Sequence, residues 1–216
     1  MAEPDRFSYE KDLLDKRVYP LAGIDEAGRG PLAGPVVAAA VIFPRNYIRD
    51  GLPESLTGLN DSKKLPERKR DSLFEALTSD DKVRGGVASI DAATIDSINI
   101  LRATFRAMNE ALAKLPELPV HSLVDGKPVK TLTTAQTAIV KGDSLSFSIA
   151  AASILAKVTR DRMMVEYDRE YPSYGFAKHK GYGTKDHLAA IAEHGPCAIH
   201  RMSFAPLKPP AQKEFF

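Results

Sequence analysis

Two adjacent carboxylates, Asp25 and Glu26, stand just before the turn sequence Gly28-Arg29-Gly30. Apolar runs on either side, at 18–24 and 35–43, have the length of buried strands, which predicts that the pair lies where a strand ends. Side chains alternate between the two faces of a strand, so Asp25 and Glu26 cannot both point into one core. Because a lone acidic pair beside a glycine turn is ordinarily a solvated surface feature, further carboxylates in equivalent places are needed to indicate chemistry.

Two such carboxylates occur later in the chain. Asp125 follows a predicted short strand at 120–124, and Asp143 follows another apolar run at 135–140. The carboxyl ends of parallel strands form the ligand crevice of an open sheet, so we expect these two acids to join the first pair around one crevice. Asp143 also precedes a predicted long helix at 146–167, where the helix dipole favours an ionised carboxylate and where an N-cap role is the alternative.

The available donor atoms indicate the chemistry. The histidines, at positions 121, 179, 187, 194 and 200, lack the paired spacing of zinc ligands, and Cys197 stands alone. Ligation by oxygen atoms only predicts Mg²⁺ or Mn²⁺, and crowded carboxylates need cations to stay ionised near neutral pH. Two such ions beside a phosphodiester support its in-line hydrolysis. The chain contains no Walker-type phosphate loop, which disfavours a nucleotide-driven ATPase.

Two basic segments are candidates for binding a phosphate backbone. One starts a predicted helix that is capped by Asp61 or Ser62 and ends near Leu77, and its beginning carries Lys63 and further basic residues. The other is the loop 174–185, which combines aromatic residues, glycines and lysines. A solvated helix face and a mobile surface loop are the respective alternatives.

The remaining periodic segments supply the scaffold. A third strand is predicted at 83–90, and the small residues at 149–154 predict close packing of the long helix on the sheet. A final helix is predicted between Thr184, its cap, and Gly195. One amphipathic helix is predicted from apolar residues spaced at intervals of three and four, namely Ile98, Leu101, Phe105, Met108, Leu112 and Leu115.

Length and composition predict one substantial core. The chain has 216 residues, of which 44% are hydrophobic, and its 30 basic and 28 acidic residues give a net charge of +2. That charge neither requires nor opposes a nucleic-acid partner. With Cys197 as the one cysteine, no intrachain disulfide is possible, and the charged N-terminus lacks the apolar segment of a secretory signal. No run approaches the roughly 18 apolar residues of a membrane span, so we expect a cytoplasmic protein.

Four segments are expected along the chain. An N-terminal arm at 1–17, loose or a short helix, precedes a catalytic core at 18–170 and a substrate-binding loop and helix at 171–205. The proline-rich tail at 206–216 is expected to be disordered. Its final Phe215-Phe216 forms an incomplete version of a sliding-clamp-binding peptide, which predicts a weak contact with a clamp.

Long motifs follow one another in a fixed order: DEAGRGPLAGPV at 25–36, NDSKKL at 60–65, VDG at 124–126, KGD at 141–143, the stretch 149–157 followed by Arg160-Asp161, and HKGYGT at 179–184. In these motifs the chain resembles the bacterial ribonucleases HII, from about Leu21 to Ser203. The resemblance implies an α/β, ribonuclease H-like fold with a mixed five-stranded sheet, flanking helices and a C-terminal helical extension. It also implies an endonuclease that hydrolyses RNA in RNA/DNA hybrids and cuts 5′ of single ribonucleotides in duplex DNA. The products would carry a 3′-hydroxyl and a 5′-phosphate, and catalysis would use two metal ions.

The resemblance also implies roles for individual residues. The metal-binding catalytic acids would be Asp25, Glu26, Asp125 and Asp143. Gly28-Arg29-Gly30 would read the ribose 2′-hydroxyl through backbone groups, and Tyr182 would stack on the sugar at an RNA-to-DNA junction. The 2′-hydroxyl is the group that separates RNA from DNA, and glycines let a backbone approach it closely. The predicted phosphate contacts are Lys63, Lys178 and Lys180.

Three other functions remain open from the sequence. Ribonuclease HIII has a similar fold but normally carries an additional N-terminal domain, for which about 20 leading residues leave no room. A junction resolvase of the same fold would act on DNA structure and would not need Gly28-Arg29-Gly30 or Tyr182. A non-catalytic hybrid-binding protein would keep the basic loop without the acids. A metal-dependent cleavage assay, with and without a single ribonucleotide in one DNA strand, distinguishes all of these.

Overall fold

A mixed sheet of five strands, in the order β3-β2-β1-β4-β5, forms the centre of the fold. The structure is a computed structural model and describes residues 5–208. The strands are β1 (Leu21–Ala27), β2 (Val36–Ile42), β3 (Arg84–Ile90), β4 (His121–Asp125) and β5 (Ala135–Ile139). β2 runs antiparallel to β1 and β3, whereas β4 runs parallel to both β1 and β5. The predicted α/β architecture with a mixed five-stranded sheet is confirmed, and the carboxyl ends of β1, β4 and β5 meet at one edge.

Helices cover both faces of this sheet. The described helices are α1 (Ser8–Asp15), α2 (Arg45–Asp50), α3 (Glu67–Ser79), α4 (Ala92–Ile98), α5 (Ile100–Ala113), α6 (Gly142–Leu145), α7 (Phe147–Glu170), α8 (Phe176–His179) and α9 (Lys185–His194). Short 3₁₀ turns occupy Glu54–Leu56 and Pro172–Tyr174. Within residues 5–208, no helix is long and apolar enough to cross a membrane.

The long helix α7 packs directly on β1 and β2, as the small residues near its start predict. Ala150, Ala151 and Ala152 are completely buried there. At Gly23 of β1, an added Cβ would lie 2.1 Å from the carbonyl carbon of Ser148, so only glycine permits this approach. α5 covers the opposite face. The sheet is therefore fixed closely against the helix that begins just after Asp143.

Three predicted element boundaries were wrong. β1 extends to Ala27, so Asp25 and Glu26 are among its final residues and do not follow it. The single helix predicted from 98 is broken at Asn99, which has a φ of +67° and whose side chain accepts the N–H groups that open α5. As a result Leu101, predicted to face the sheet, is 48% exposed.

The third wrong boundary is the start of α3, which begins at Glu67 and not at Asp61 or Ser62. Pro66 is its N-cap residue, and a proline disfavours helical conformation in the residue before it. Asp61 instead accepts the backbone N–H of Lys63 at 2.9 Å, which orders a loop. The buried face of the helix, with Leu73 and Leu77, is as predicted.

The segments at the two ends of the described chain were predicted in part. The segment before β1 contains the helix α1, the second of the two alternatives considered for residues 1–17. Thr184 caps α9 as predicted, accepting the N–H of His187 at 3.3 Å. Most of the tail, including Phe215-Phe216, lies outside the described residues.

Candidate active site

The acids predicted to act together lie at one edge of the sheet. Asp25 and Glu26 are near the end of β1, Asp125 is the last residue of β4, and Asp143 is in α6, just after β5. β1 and β4 are paired so that Ile24 lies opposite Val124, which brings Asp25 beside Asp125. Parallel pairing of β4 with β5 brings the turn after β5 to the same edge.

Asp25 is the most enclosed of these acids, with 6% of its surface exposed. Burial raises its pKa well above the usual range, and the charges of Glu26, Asp125 and Asp143 raise it further. All of these carboxylates are thus close enough to influence one another electrically. The N–H of Glu26 donates to Asp25 Oδ1 at 2.7 Å, which fixes the orientation of the buried carboxylate.

Glu26 and Asp125 each have a protein partner. Burial raises the pKa of Glu26, although its ion pair with Arg29, at 3.2 Å, acts in the opposite direction. Asp125 Oδ1 accepts the backbone N–H of Gly142 at 2.7 Å. An added Cβ at Gly142 would lie 2.6 Å from Cδ1 of Ile149, so a side chain there would disturb the turn that bonds Asp125.

Asp143 is 8% exposed, and its pKa is raised by burial and then by the charges of Asp61 and Asp125. It does not cap the long helix, since Ser146 is the N-cap of α7 and accepts the N–H of Ile149 at 3.2 Å. The alternative N-cap role for Asp143 is therefore wrong. Asp61, considered in the sequence as a helix cap and as part of the motif at 60–65, is 9% exposed and lies beside Asp143.

The donor set of this edge fits a hard divalent cation. It consists of carboxylate oxygens. Burial and then the charges of the neighbouring acids raise the pKa of Asp25, and a bound cation would relieve the repulsion between these charges. Within residues 5–208, no group of three or more His, Cys, Asp and Glu side chains has the arrangement of a formed metal site. Two of the carboxylates are oriented instead by Arg29 and by the Gly142 N–H.

A cavity of about 570 Å³ opens beside the acids. Its lining includes Asp25, Glu26, Gly28, Arg29, Gly30, Lys63, Lys157, Arg160 and Tyr182. An added Cβ at Gly30 would lie 3.8 Å from Cε1 of Tyr182, so the turn and the aromatic ring are neighbours although distant in sequence. Tyr182 is 47% exposed. The structure thus brings together the acids, the glycine turn, Lys63 and the ring.

Two buried arginines hold the backbone of the glycine turn. Arg201 donates to the carbonyl oxygens of Gly28 at 2.6 Å, Arg29 at 3.1 Å, Pro31 at 2.9 Å and Gly34 at 2.9 Å. Burial lowers its pKa to about 9, and the nearby charge of Arg160 acts in the same direction. A buried guanidinium saturated by carbonyl oxygens forms a rigid support, because its donors lie in one plane.

Arg160 extends this support to the loop of Tyr182. It donates to the carbonyl oxygens of Ala33 at 3.1 Å, Pro35 at 2.9 Å and Lys180 at 3.0 Å. Gly28 has a φ of +93°, and an added Cβ there would lie 2.0 Å from Arg160 Nε. Sequence reasoning missed Arg201 entirely and noted Arg160 only as part of a motif. Nothing in the neighbouring sequence indicates that either arginine is buried.

The sequence model of the family described as Ribonuclease HII matches residues 22–207. The ribonuclease HII of Geotalea daltonii is 55% identical over 216 residues, with 96% of each chain covered. The chain belongs to the ribonuclease HII family. It is therefore a ribonuclease H, a hydrolase that cleaves the RNA of RNA/DNA hybrids, and the alternatives from sister or unrelated families are excluded.

Solved structures of the family share the fold. The ribonuclease H2 from Pyrococcus horikoshii OT3 superposes with a TM-score of 0.71 at 27% identity, covering 87% of this chain and 94% of that one. The RNase HII of Archaeoglobus fulgidus, solved in complex with PCNA, gives a TM-score of 0.70 at 25% identity, covering 91% of this chain and 100% of that one.

The lysines predicted to bind phosphate are not all at the cavity beside the acids. Lys63 lines it, and although burial lowers the pKa of Lys63, the charges of Asp25 and Asp143 raise it overall. Lys178 is exposed and pairs with Asp186 at 2.9 Å. Lys180 donates to the carbonyl of Ala177 and lines a different cavity, whose other lining residues belong to α3 and α7.

A chain of histidines underlies the Tyr182 loop. His187 Nδ1 donates to the Tyr182 carbonyl at 2.9 Å, and its Nε2 lies 3.0 Å from Nε2 of His200. His200 Nδ1 accepts the Cys197 N–H at 2.9 Å. The sequence did not predict that these residues would meet. These hydrogen bonds are consistent with neutral imidazole rings, and they position the Tyr182 loop.

Proposed function

We propose that this ribonuclease HII-family enzyme also cuts duplex DNA on the 5′ side of a single embedded ribonucleotide, leaving a 3′-hydroxyl and a 5′-phosphate. One observation carries the proposal: Asp25 and Glu26, two of the acids at the sheet edge, line the 570 Å³ cavity, and the same cavity is lined by the glycine turn and Tyr182. The acids proposed to support hydrolysis and the groups proposed to read a sugar therefore face the same cavity. An enzyme for long hybrids alone would not need a ring beside the ribose-reading turn.

The acids at the sheet edge are proposed to hold Mg²⁺ or Mn²⁺. The ligands would be Asp25, Glu26, Asp125 and Asp143. When bound, two such ions activate water and stabilise the leaving oxygen of an in-line displacement. The chain's own contribution is orientation: the Glu26 N–H sets Asp25, and the Gly142 N–H sets Asp125.

Recognition of the ribose is assigned to Gly28-Arg29-Gly30. Because Arg201 binds the carbonyl oxygens of Gly28 and Arg29, the peptide planes of this turn keep a fixed orientation in the cavity wall. A fixed backbone without side chains at two positions can approach a 2′-hydroxyl and hydrogen-bond to it. Tyr182, half exposed across the cavity, would stack on the following deoxyribose.

Further contacts are proposed for the rest of the substrate and for a partner. Lys63 would contact the phosphate backbone at the cavity, and Lys178 and Lys180 would do so farther along the duplex. Since the A. fulgidus RNase HII was solved in complex with PCNA, a weak sliding-clamp contact through Phe215-Phe216 is proposed here. A cytoplasmic location agrees with these partners.

Product mapping tests the proposed function. A duplex with one ribonucleotide, an all-RNA hybrid and an all-DNA duplex are incubated with the enzyme, with Mg²⁺, with Mn²⁺ and with chelator. We expect metal-dependent cleavage of the first two, with the cut 5′ of the single ribonucleotide. Cleavage on its 3′ side, cleavage of the hybrid alone, or activity in chelator would contradict the proposal.

A further inference from the structure

The segment before β1 is docked against the loops that surround the acids. Phe7 is 2% exposed, and its ring lies edge-on to Phe147 at 4.9 Å and to Phe43 at 5.8 Å. Leu14, at the other end of α1, is 6% exposed and belongs to the main core. This segment precedes the residues matched by the family, which begin at 22. Its docking therefore gives it a fixed position beside the active site.

Arg6 joins two loops that carry functional residues. Its Nη1 donates to the Leu59 carbonyl at 2.5 Å, and its Nη2 donates to the Asp143 carbonyl at 2.8 Å. The Leu59 loop continues to Lys63 at the cavity, and Asp143 is one of the proposed metal ligands. One guanidinium thus fixes the distance between these two loops, because its planar donors bond both at once.

The position of Arg6 is itself fixed. Its carbonyl accepts the N–H of Phe147 at 3.0 Å, and its guanidinium lies 4.6 Å from the centre of the Phe147 ring. Beside it, Lys64 Nζ donates to Ser144 Oγ at 2.8 Å, a second link between the same two loops. Movement of Arg6 would therefore require movement of the first turn of α7.

Glu10 of α1 holds the other side of the Asp143 turn. It is completely buried, and its Oε1 accepts the Ser146 hydroxyl at 2.6 Å and the Ser148 N–H at 3.0 Å. Ser146 is the N-cap of α7. Glu10 consequently orients the cap residue that lies three positions after Asp143.

We propose that Arg6 and Glu10 are positioning residues, which hold the main chain of Asp143 so that its carboxylate is preset to bind the cation. The inference rests on the proposed metal-binding role of Asp143. Neither residue reaches the cavity beside Tyr182, so they act through Asp143 and not on substrate. Loss of groups that orient metal ligands typically weakens metal affinity by roughly 10- to 100-fold.

The test uses the full chain and two readouts, Mn²⁺ binding measured by electron paramagnetic resonance without substrate and kinetics on an RNA/DNA hybrid. Arg6→Ala is expected to bind Mn²⁺ roughly tenfold more weakly. Its kcat should fall at limiting metal and recover at saturating metal, with an unchanged KM for the hybrid. Arg6→Lys, which can still donate to a carbonyl, should recover part of the affinity.

Matched variants separate positioning from loss of stability. Arg84→Ala is the control, since Arg84 also donates to a backbone carbonyl, that of Asp81, but lies in β3, an outer strand of the sheet. This variant should bind Mn²⁺ like wild type. Glu10→Gln keeps an acceptor oxygen and should bind Mn²⁺ nearly normally, whereas Glu10→Ala should bind it more weakly. If Arg6→Ala does not fold, this Glu10 pair decides the question.

Unchanged Mn²⁺ affinity in Arg6→Ala and Glu10→Ala would overturn the inference. So would a raised KM with normal metal affinity, which would indicate a direct contact with the hybrid. If the wild type binds Mn²⁺ and cleaves the hybrid, and the variants bind Mn²⁺ equally well, only the positioning role is rejected. Failure of wild type to bind the ion would instead reject the proposed function.

Discussion

The surroundings of Asp143 in the folded protein disfavour the ionised form of its carboxyl group. Burial and the charges of Asp61 and Asp125 raise its pKa, so its ionisation at neutral pH destabilises the metal-free native state. Its backbone, in contrast, is well held, with the carbonyl bonded by Arg6. The metal-binding role proposed for Asp143 needs a charge that destabilises the fold, as is common where charges are gathered for catalysis.

Asp143→Asn is therefore expected to abolish most activity while leaving the fold intact. Loss of a group that orients a metal ligand costs up to roughly 100-fold, and loss of the ligand itself should cost at least as much. Because Ser146 caps α7, the helix keeps its cap, and the melting temperature in chelator should be unchanged or higher. Cleavage of a hybrid at the wild-type rate with Mg²⁺ would show that Asp143 is not a ligand.

Tyr182→Ala is expected to affect the junction substrate most. The ring is exposed and lies beside Gly30, so its removal should leave stability nearly unchanged. Loss of a stacking interaction costs about 1 to 3 kcal/mol, which should appear as a lower rate on a single embedded ribonucleotide. On an all-RNA hybrid the loss should be smaller, because no deoxyribose follows the ribose next to the cut. An equal loss on both substrates would reject the junction-sensing role.

At the scale of elements, the glycine turn depends on a residue at the far end of the chain. Arg201 bonds four carbonyl oxygens of the segment from Gly28 to Gly34, and Arg160 continues the support to the Tyr182 loop. Neither arginine bonds a carboxylate through these donors. The two segments proposed to read the sugar therefore share one scaffold and are expected to lose their geometry together.

Arg201→Lys tests that scaffold. A lysine ammonium cannot reproduce the planar fork, so at least one buried carbonyl should lose its partner, at a cost of about 1 to 3 kcal/mol in the free energy of unfolding. Cleavage of the single-ribonucleotide duplex should fall more than metal binding does. Arg162→Lys, which changes an exposed arginine paired with Glu75, is the matched control for unfolding by denaturant. Equal stability and equal cleavage in both variants would reject the scaffold.

At the scale of the whole molecule, duplex binding should depend on charge beyond the cavity. We expect the triple neutralisation of Lys63, Lys178 and Lys180 to weaken hybrid binding and to flatten its salt dependence. For every phosphate that is no longer neutralised, the slope of log affinity against log salt should become shallower by about 0.9. Lys63→Ala alone should show one such step, since Lys63 lines the cavity. An unchanged slope in the triple variant would indicate a merely solvated surface.

The buried histidines under the Tyr182 loop predict how the free energy of unfolding depends on pH. His187 is completely buried, and burial lowers its pKa to about 4, with His179 and His200 acting in the same direction. The unfolded chain takes up this proton near its ordinary pKa of about 6.5, before the native state does, so stability should fall as the pH drops from about 6.5 to about 4. At about 1.4 kcal/mol per pKa unit, the full effect is up to about 3 kcal/mol.

The buried acids have raised pKa values and act in the opposite direction, so a variant is needed to isolate this effect. The free energy of unfolding is measured against pH for wild type and His187→Gln. The wild type should lose stability on acidification relative to the variant. Parallel curves, or a protonated His187 ring at pH 6 by nuclear magnetic resonance, would contradict the prediction.

The strands, the family and the common edge of the acids could be predicted from the sequence alone. Asp125 and Asp143 could be placed together because each follows an apolar run, and parallel strands end at a common edge. The helices were predicted less well at their boundaries. At Asn99 and Pro66, the local backbone preferences of single residues interrupt a hydrophobic pattern that continues through them.

The contacts that support the site could be found only in the folded structure. Arg201 and Gly28 are 173 residues apart, and Arg6 and Asp143 are 137 apart, yet each pair is joined by a hydrogen bond. In both pairs the acceptor is a backbone carbonyl, which every residue possesses. Such a contact requires no particular partner residue and no periodic spacing, so the sequence shows an ordinary polar arginine until the fold brings the two segments together.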